Sequence, residues 1–283
     1  MTDIWNPYYI DDDFCVYAFY SAFFRNCSHE YFFQGETHDF WEFCYVLKGS
    51  ACVTVDDKVI KLCENQIIFH KPMEFHSLRT DADKPTNLLI VSFSASGMLM
   101  NYFKDKTFLL NHSLKEELSR VINYLKSTGE YNDEELLPVI SLKKMSKLPN
   151  GINYFKNLIE NFLISLSVEG ESRVQIVKNS ETDIYTDALR IISDYIYEKI
   201  TVDELSRKCN VSSAYLKKIF AKYNGLGIHE YILQNKILIA KQMLAEGEQV
   251  TTVADTLGFS SQNYFSTVFK RKTGVNPSAY KGF

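Results

Sequence analysis

Two runs of polar side chains near the carboxyl end of the chain carry groups that can contact nucleic acids. Gln and Asn can form paired hydrogen bonds with adenine, Ser and Thr can contact base edges or phosphate, and Lys and Arg can reach guanine or the backbone. We predict that both runs face outward and bind DNA: Ser213, Ala214, Tyr215, Lys217, Lys218 and Lys222, then Ser261, Gln262, Asn263, Ser266, Thr267, Lys270 and Arg271. The first run has fewer base-reading groups, so we expect it to contact mainly the DNA backbone.

A repeated helical pattern positions these two runs. Three apolar positions of the first copy recur 48 residues later in the second: Val202, Leu205 and Val211, then Val250, Val253 and Phe259. Each copy predicts a short helix, a tight turn and a second helix, which is the arrangement that places one helix in the major groove of DNA.

The first copy contains clear helix-start signals. Thr201 and Glu204 form a capping-box pattern for a helix over about 202–208, and Ser212 is a suitable N-cap for the helix that follows. In that second helix, spacing predicts that three residues point inward: Leu216, Ile219 and Phe220.

The second copy follows the same order. Gly258 can supply the turn, where a positive φ costs glycine little, and Ser260 or Ser261 caps the next helix. The residues expected in its core are Val253, Ala254, Leu257, Phe265 and Phe269.

The segment between the copies predicts a single spacer helix. Leu233, Ile237, Ala240 and Leu244 form one apolar stripe in HEYILQNKILIAKQMLAE, a helix of about 18 residues and roughly 27 Å. A spacer of that length can hold two reading helices about one DNA turn, or roughly 34 Å, apart.

Charge is distributed unevenly along the chain. Residues 1–182 hold 18 Lys and Arg against 25 Asp and Glu, whereas residues 205–283 hold 11 against 4, within an overall net charge of −4. Positive charge therefore accompanies the repeated motif, as a phosphate-contacting surface requires, although a solvated basic face would give the same count.

The front half predicts a different fold. Strand-like stretches occur at FCVYAFYSAFF, FWEFCYVL, SACVTVDD, QIIFHKP and NLLIVSFS between residues 8 and 95, with turn signals at 48–50 and 56–58. From about Ser113 the apolar period becomes helical, first over 114–125 and again over 155–166, with a polar stretch around 130–150 between them. The helical stripes can pack on a second copy of the chain or on their own sheet.

These patterns predict an α+β chain of two domains. We expect a β-rich domain with trailing helices over 1–168, a polar linker over 169–182, and an all-α domain with two helix-turn-helix motifs over 183–283. The chain has no export signal and no apolar run that could span a membrane, so we expect a cytoplasmic protein. The six cysteines are scattered, which favours reduced thiols over a disulfide framework or a zinc site.

Residues 183–283 resemble the DNA-binding domain of the AraC/XylS family of bacterial transcription regulators. The resemblance lies in VDELSRKCNVSSAYLKKIF, HEYILQNK and LGFSSQNYFSTVFKRKTGVNPSAYK. Two positions depart from the family pattern. Ser206 stands where a small Ala is usual, and Lys236 stands where Arg is usual, which we expect to weaken a paired phosphate or carboxylate contact.

Residues 36–76 resemble the cupin-like barrel that many members of this family carry, which implies that residues 1–168 form an effector-binding and dimerisation domain. On this resemblance we favour dimerisation through the helices predicted over 114–125 and 155–166. The resemblance lies in ETHDFWEFCYVLKGSACV and ENQIIFHKPMEFH. In catalytic cupins such His and Glu residues bind a metal; here Glu36 stands where a further His is common. If the strand through this region faces the barrel interior, alternate residues line it. We therefore predict an effector pocket formed by His38, Phe40, Glu42, Cys44 and His76, suited to a small polar molecule such as a sugar.

Three uses of that region remain open: an effector pocket, a metal site with His38, Glu42 and His76 as ligands, and structural packing. We favour the pocket and predict no metal and no cofactor. The leading function is an effector-controlled transcription regulator, not an enzyme, that binds promoter DNA as a homodimer and can contact RNA polymerase. The alternative is a metal-dependent cupin enzyme with an accessory DNA-binding tail. A regulator that answers to a protein partner also fits the sequence.

Overall fold

The computed structural model describes residues 14–27, 30–80, 84–128 and 140–280. These residues divide into two compact units at Ile176 and Val177, except that the short stretches 33–35 and 56–59 group with the second unit. The division falls within the predicted linker. Parts of the predicted outer domain limits, and of the polar stretch predicted at 130–150, lie outside the described residues.

The first unit contains two antiparallel sheets. The six-stranded sheet has the order β1 (Cys15–Cys27), β8 (Thr86–Ser96), β3 (Trp41–Lys48), β6 (Gln66–His70), β9 (Thr107–Leu109) and β10 (Glu171–Ser172). The four-stranded sheet has the order β2 (Phe32–Glu36), β7 (His76–Thr80), β4 (Ser50–Val55) and β5 (Lys58–Cys63). The expectation of a sheet-rich, cupin-like front domain is confirmed. Five strands of the described residues were not predicted, because none shows a clear run of apolar and β-branched residues bounded by turn signals: β2, β5, β7, β9 and β10.

Strand β3 has one face toward helices and one toward the other sheet. Phe43 contacts Phe162 with ring centroids 6.2 Å apart, in the same apolar core as Trp41 and Tyr45. Because side chains alternate along a strand, Glu42 and the residues at every second position face the opposite way. We call this second face the inner face of the six-stranded sheet.

Four helices complete the first unit: α1 (Leu99–Tyr102), α2 (His112–Thr128), α3 (Ile140–Met145) and α4 (Gly151–Glu169). The apolar stripes that predicted α2 and α4 are buried in the unit's own core, from Leu114 to Leu125 and from Phe155 to Leu166. These stripes therefore pack on their own sheet and do not offer the dimer surface that we favoured. The exposed apolar residues of α4 lie on its other side, at Tyr154, Ile164 and Val168.

The second unit is all helical in its C-terminal part. Its helices are α5 (Ser180–Asp194), α6 (Val202–Lys208), α7 (Ser213–Tyr223), α8 (Ile228–Ala245), α9 (Val250–Thr256), α10 (Gln262–Thr273) and a short 3-10 helix, η1 (Pro277–Ala279). The predicted doubled motif is thus present as α6–α7 and α9–α10, with α8 as the spacer between them. The 18 residues of α8 correspond to about 27 Å.

The helix-start signals have the predicted partners. Thr201 and Glu204 form a reciprocal capping box on α6, Ser212 caps α7, and Ser261 rather than Ser260 caps α10. Gly258 has the expected positive φ of 62°.

The predicted linker contains more regular structure than its polar composition indicated. Helix α4 continues to Glu169, residues 171–172 form β10, and α5 begins at Ser180 with a capping box on Asn179. No helix among the described residues combines the length and the apolar character needed to cross a lipid bilayer. All six cysteines are free thiols.

Candidate functional site

Glu42 lies in the middle of a polar row on the inner face of the six-stranded sheet. It pairs with His70 on one neighbouring strand and with Ser92 on the other, and Ser92 pairs in turn with Ser21. The Ser92 hydroxyl donates a 2.6 Å hydrogen bond to Glu42 Oε2, and the hydroxyls of Ser21 and Ser92 are 2.7 Å apart. Glu42 is 8% exposed, so these groups replace water around a buried carboxylate.

Two histidines bring their Nε2 atoms to that carboxylate. His76 Nε2 lies 3.4 Å from Glu42 Oε1, and His38 Nε2 lies 3.9 Å from Glu42 Oε2. The Nδ1 atoms face backbone carbonyls, at 2.9 Å from Phe40 O for His38 and at 3.3 Å from Glu74 O for His76. Because a carbonyl oxygen only accepts, each Nδ1 carries a proton. Neither Nε2 atom makes a well-directed hydrogen bond within the described residues.

Burial and charge set the protonation of this group. Burial alone would raise the pKa of Glu42, but the close approach and charge of the His76 imidazole, with the charge of His70 and the Ser92 hydroxyl, lower it to about 2. Burial would lower the pKa of His76, but Glu42 and Glu36 outweigh it and raise the pKa. Burial and the charge of His76 lower the pKa of His38. Glu42 is therefore ionised at neutral pH, next to one imidazole that favours the charged form and one that favours the neutral form.

Glu36 completes a set of four possible metal ligands. One ligand atom from each of Glu36, His38, Glu42 and His76 lies within 4.8 Å of the other three. Glu36 as a whole residue is exposed at the end of β2. Its carboxyl group is partly covered, and this burial, together with repulsion from Glu42, raises its pKa. Two imidazole nitrogens and two carboxylate oxygens match the ligand preference of first-row divalent transition metals.

A row of stacked rings leads from the surface to this cluster. Tyr20, which is 44% exposed, stacks on Phe40 at 4.0 Å, and Phe40 stacks on His38 at 3.9 Å. The row continues through His76, whose ring is 4.9 Å from His38 and 4.1 Å from buried His70. Flat rings beside ionised groups form a lining that can hold a ligand with both apolar and polar faces.

The structure brings together three of the predicted effector residues: His38, Glu42 and His76. The strand-alternation argument was wrong for His38 and Phe40, because β3 begins only at Trp41. His38 reaches Glu42 from the segment before the strand. Cys44 lies on the same face as Glu42 but is buried, and burial raises the pKa of its thiol.

Two members of the cluster were missed by sequence reasoning: His70 and Ser92. Their place beside Glu42 depends on which strands pair and in what register. The only sequence signal was that both lie in stretches predicted as strands.

The first helix-turn-helix motif uses two serines to join its helices. Ser213 Oγ donates a 2.6 Å hydrogen bond to Asp203 Oδ1 and lies 2.9 Å from Ser206 Oγ. Ser206 is 4% exposed and also donates to Asp203 O at 3.0 Å. Ser213 is half-buried and its hydroxyl is used within the motif, so a contact of this residue with DNA stays a prediction. The Ser at 206 is more than a tolerated replacement for Ala, because it takes part in this contact.

The remaining predicted residues of α7 are exposed: Ala214, Tyr215, Lys217, Lys218 and Lys222. Lys222 forms an ion pair with Glu181 of α5, and that contact lowers the pKa of Glu181. A neighbouring carboxylate reduces the attraction of Lys222 for phosphate. Lys217 and Lys218 are thus the main basic groups on this helix.

Helix α10 presents the predicted polar side chains of the second motif to solvent. Ser261, Gln262, Asn263, Thr267, Lys270 and Arg271 are exposed, and Ser266 is half-buried. Phe265 and Phe269 on the opposite side are fully buried. Thr267 donates its hydroxyl to Asn263 O at 2.9 Å, so its methyl group is the part directed away from the helix backbone. Sequence reasoning missed Tyr264, which is 41% exposed on the same helix.

Lys236 of α8 has a structural role that the sequence did not indicate. Its Nζ donates to Glu198 O at 2.9 Å and to Leu257 O at 2.6 Å. The residue is 6% exposed, and burial lowers its pKa. We expected a weakened phosphate or carboxylate contact here. Instead, the ammonium group bridges two backbone carbonyls, one from a residue that precedes the spacer helix in sequence and one from a residue that follows it.

Comparison with known families matches both parts of the chain. The family model described as AraC-like ligand binding domain matches residues 19–137, and the helix-turn-helix domain model matches residues 205–282. The chain belongs to the AraC/XylS family of transcriptional regulators. An AraC/XylS protein of this kind combines a ligand-binding domain with a helix-turn-helix DNA-binding domain.

The similarity to individual regulators extends over most of the chain. The Msm operon regulatory protein of Streptococcus mutans is 24% identical over 260 residues, which is 91% of this chain and 89% of the relative. The uncharacterised helix-turn-helix regulator YfiF of Bacillus subtilis is 22% identical over 93% of this chain and 83% of its own. Among solved structures, ToxT of Vibrio cholerae is 18% identical, with a TM-score of 0.36, and covers 96% of this chain and 98% of its own. The relatives with printed roles are named as regulators, and one of them, AdaA of Bacillus subtilis, which matches 32% of this chain, is named a DNA repair enzyme as well. The comparisons give no support to the alternative of a metal-dependent cupin enzyme.

Proposed function

We propose that this AraC/XylS protein is a one-component regulator whose first unit binds a small polar effector and thereby alters its occupancy of promoter DNA. The observation that supports an effector site is the buried Glu42 carboxylate with two imidazole Nε2 atoms within 4 Å and an aromatic row beside it. The buried Nε2 atoms of His38 and His76 lack a hydrogen-bond partner among the described residues. A buried polar atom without a partner is costly, and binding of a polar ligand would offset that cost. Sugars are the first class to test.

We assign base reading mainly to the second motif. Gln262 and Asn263 are exposed in the first turn of α10, where they can pair with adenine. Lys270 and Arg271 lie in its last turn and are suited to phosphate contacts. In the first motif, Lys217 and Lys218 supply backbone contacts beside exposed Ala214 and Tyr215.

We further propose that residues 1–168 bind the effector and form the dimer, that residues 169–182 link the two domains, and that residues 183–283 bind DNA. Dimerisation, if it uses α4, involves the exposed apolar side of that helix at Tyr154, Ile164 and Val168. Contact with RNA polymerase is one route by which promoter occupancy changes transcription. Light scattering during size-exclusion chromatography of the full-length chain measures its mass in solution and so tests for the dimer.

The effector proposal is tested by thermal unfolding of the full chain. Both tryptophans, Trp5 and Trp41, precede residue 177, so tryptophan fluorescence follows the first unit. A ligand that binds the folded state should raise the unfolding temperature in a concentration-dependent way, and Glu42→Gln should remove that rise. If Glu42→Gln and the parent chain respond equally to every active compound, the effector does not bind at this cluster.

The DNA proposal is tested by footprinting across the upstream regions of the source genome. We expect protection on one face of the duplex at two segments about one helical turn apart. Absence of any protected segment at all protein concentrations would overturn it.

A further inference from the structure

The second unit contains a cavity of about 500 Å³. Its wall is built from both helix-turn-helix motifs and from the spacer helix between them. Among its lining residues are Val202 of α6, Lys236 of α8, Phe259 of the turn before α10, and Tyr264 of α10. Cavities of about 300 to 1,000 Å³ are the size that holds small molecules. Every lining residue belongs to the second unit, so this cavity is a different site from the Glu42 cluster.

The cavity wall is mostly apolar, and the fold covers it incompletely. Val202 and Phe259 are half-buried, and Tyr264 is 41% exposed. The rings of Phe259 and Tyr264 are tilted to each other, with centroids 6.0 Å apart. A ligand with an apolar body, and an aromatic ring in particular, would remove this surface from water.

The ammonium group of Lys236 is a buried cation in this wall. The residue is 6% exposed, and its Nζ lies 5.8 Å from the centre of the Phe259 ring. Its hydrogen-bond acceptors among the described residues are two carbonyl oxygens, those of Glu198 and Leu257. An ammonium group has three N–H donors, so one of them remains for a ligand. No carboxylate in the described part of the chain forms an ion pair with Lys236, and burial lowers its pKa.

A buried cation without a counter-ion favours an anionic ligand. Burial of an ammonium group is costly, and a carboxylate beside it would offset that cost through a charge-assisted hydrogen bond. The other ionisable lining residues, Glu198, Lys199 and His229, are exposed, so water and salt screen their charges. The buried charge therefore selects an organic acid over a neutral molecule of the same shape.

We infer that this cavity binds a small organic carboxylate with an aromatic body. The carboxylate accepts a hydrogen bond from Lys236, and the ring packs against Phe259 and Tyr264. Because residues of both motifs line the cavity, the bound acid contacts the two motifs at once. The site lies wholly within the second unit, so the inference does not rest on the effector site proposed for the first unit.

Two matched compounds, 4-phenylbutyrate and its uncharged amide 4-phenylbutanamide, are suitable probes for the full-length chain. Titration calorimetry should show binding of the acid, with an affinity at least about 10-fold higher than that of the amide, because only the acid gains a charge-assisted bond. This comparison uses the parent chain and needs no variant. Glu42→Gln, which changes the first unit, should bind the acid as the parent does.

Two variants locate the bound acid. Ile200→Phe places a larger side chain at a half-buried lining position and should weaken binding of the acid. Leu238→Phe makes the same enlargement at a half-buried position of α8 outside the lining and should bind as the parent does. Lys236→Gln keeps an N–H donor for the carbonyls but removes the charge, so it should lower the affinity for the acid to that for the amide.

Circular dichroism checks that each variant is folded. No binding of the acid at millimolar concentration, equal affinity for the acid and the amide, or equal binding by the parent and Ile200→Phe would overturn the inference. Loss of binding in Glu42→Gln with full binding in Ile200→Phe would also overturn it, and would place the acid in the first unit in support of the proposed function.

Discussion

At the scale of single residues, the partner of a side chain decides its role more than its type does. Ser213 and Lys222 have the chemistry to contact DNA, but one joins two helices and the other pairs with Glu181. Asn263 and Lys270 have no side-chain partner within the described part of the chain. The second motif therefore presents free base-reading and phosphate-reading groups side by side on one helix.

Asn263→Ala and Lys270→Ala should weaken DNA binding in different ways. Loss of a paired amide contact should cost about 1 to 3 kcal/mol and relax the preference at one base pair. Loss of a lysine should weaken binding to all sequences alike and make the salt dependence shallower by about one unit. Affinities for single-base operator variants, measured at several salt concentrations, distinguish these two effects. Lys178→Ala is the control, because Lys178 is exposed and lies outside both motifs. A uniform loss for Asn263→Ala would exclude it from base reading.

Ser213→Ala should act on stability and leave the charge of the interface unchanged. The variant loses a hydroxyl that bonds Asp203 and lies beside buried Ser206, which corresponds to about 1 kcal/mol. DNA affinity should fall without any change in its salt slope, whereas Lys217→Ala should make the slope shallower. Denaturant unfolding and salt titrations provide both readings. An intact stability with a shallower salt slope would place Ser213 at the phosphate backbone after all.

Lys236→Met should destabilise the second unit. It leaves Glu198 O and Leu257 O without their donor. The contact to Leu257 O is the buried one, and an unpaired buried carbonyl costs about 1 to 3 kcal/mol. Relief from burying an ammonium group offsets part of this cost. Denaturant unfolding monitored by the circular dichroism of the helices measures the loss of stability. Lys241→Met, at a half-buried position on the same helix, is the control. Equal stability of the two variants would contradict the bridging role.

At the scale of elements, local signals predicted the second unit well. Capping residues such as Thr201 and Ser261 and the apolar spacing of α8 act within a few residues of sequence, so the helices could be placed from sequence alone. Helix α5 was not predicted, because the polar residues that cap it were assigned to a linker. The same reasoning could not place Ser213, whose bond to Asp203 depends on how α6 and α7 meet.

Gly258→Ala and Gly247→Ala test the turn of the second motif. Both glycines have positive φ, 62° and 93°, but only a Cβ at Gly258 would approach another residue, at 2.9 Å from Tyr197 O. Gly258→Ala should therefore cost more than about 1 kcal/mol and more than Gly247→Ala, which meets open space and bears only the backbone strain. Urea midpoints followed by circular dichroism rank the two. The reverse order would show that the close approach does not constrain this turn.

The site in the first unit was harder to predict, because its residues come together only through pairing of distant strands. Glu42 contacts residues from positions 38, 70, 76 and 92. The family resemblance identified two of these positions, 38 and 76, together with Glu42 itself. Their geometry follows from the register between β3, β6 and β8 and from a segment that folds back before β3, which alternation along one strand cannot reveal.

At the scale of the whole molecule, regulation requires that effector and DNA influence each other's binding. If an effector changes operator affinity by some factor, operator DNA must change effector affinity by the same factor. Titration calorimetry of the full chain with the active compound, with and without cognate duplex, should give matching factors, and a duplex of scrambled sequence is the control. Unchanged effector affinity on cognate DNA would exclude thermodynamic coupling between the two sites.

The pairing of Glu42 with His70 and Ser92 also limits how the sequence can vary in length. A single-residue insertion or deletion within β3 would turn Glu42 toward Phe162 and its apolar neighbours and bring Phe43 among the imidazoles. Gains and losses of residues in descendants of this gene should therefore be purged from this strand, while point replacements at its exposed end survive.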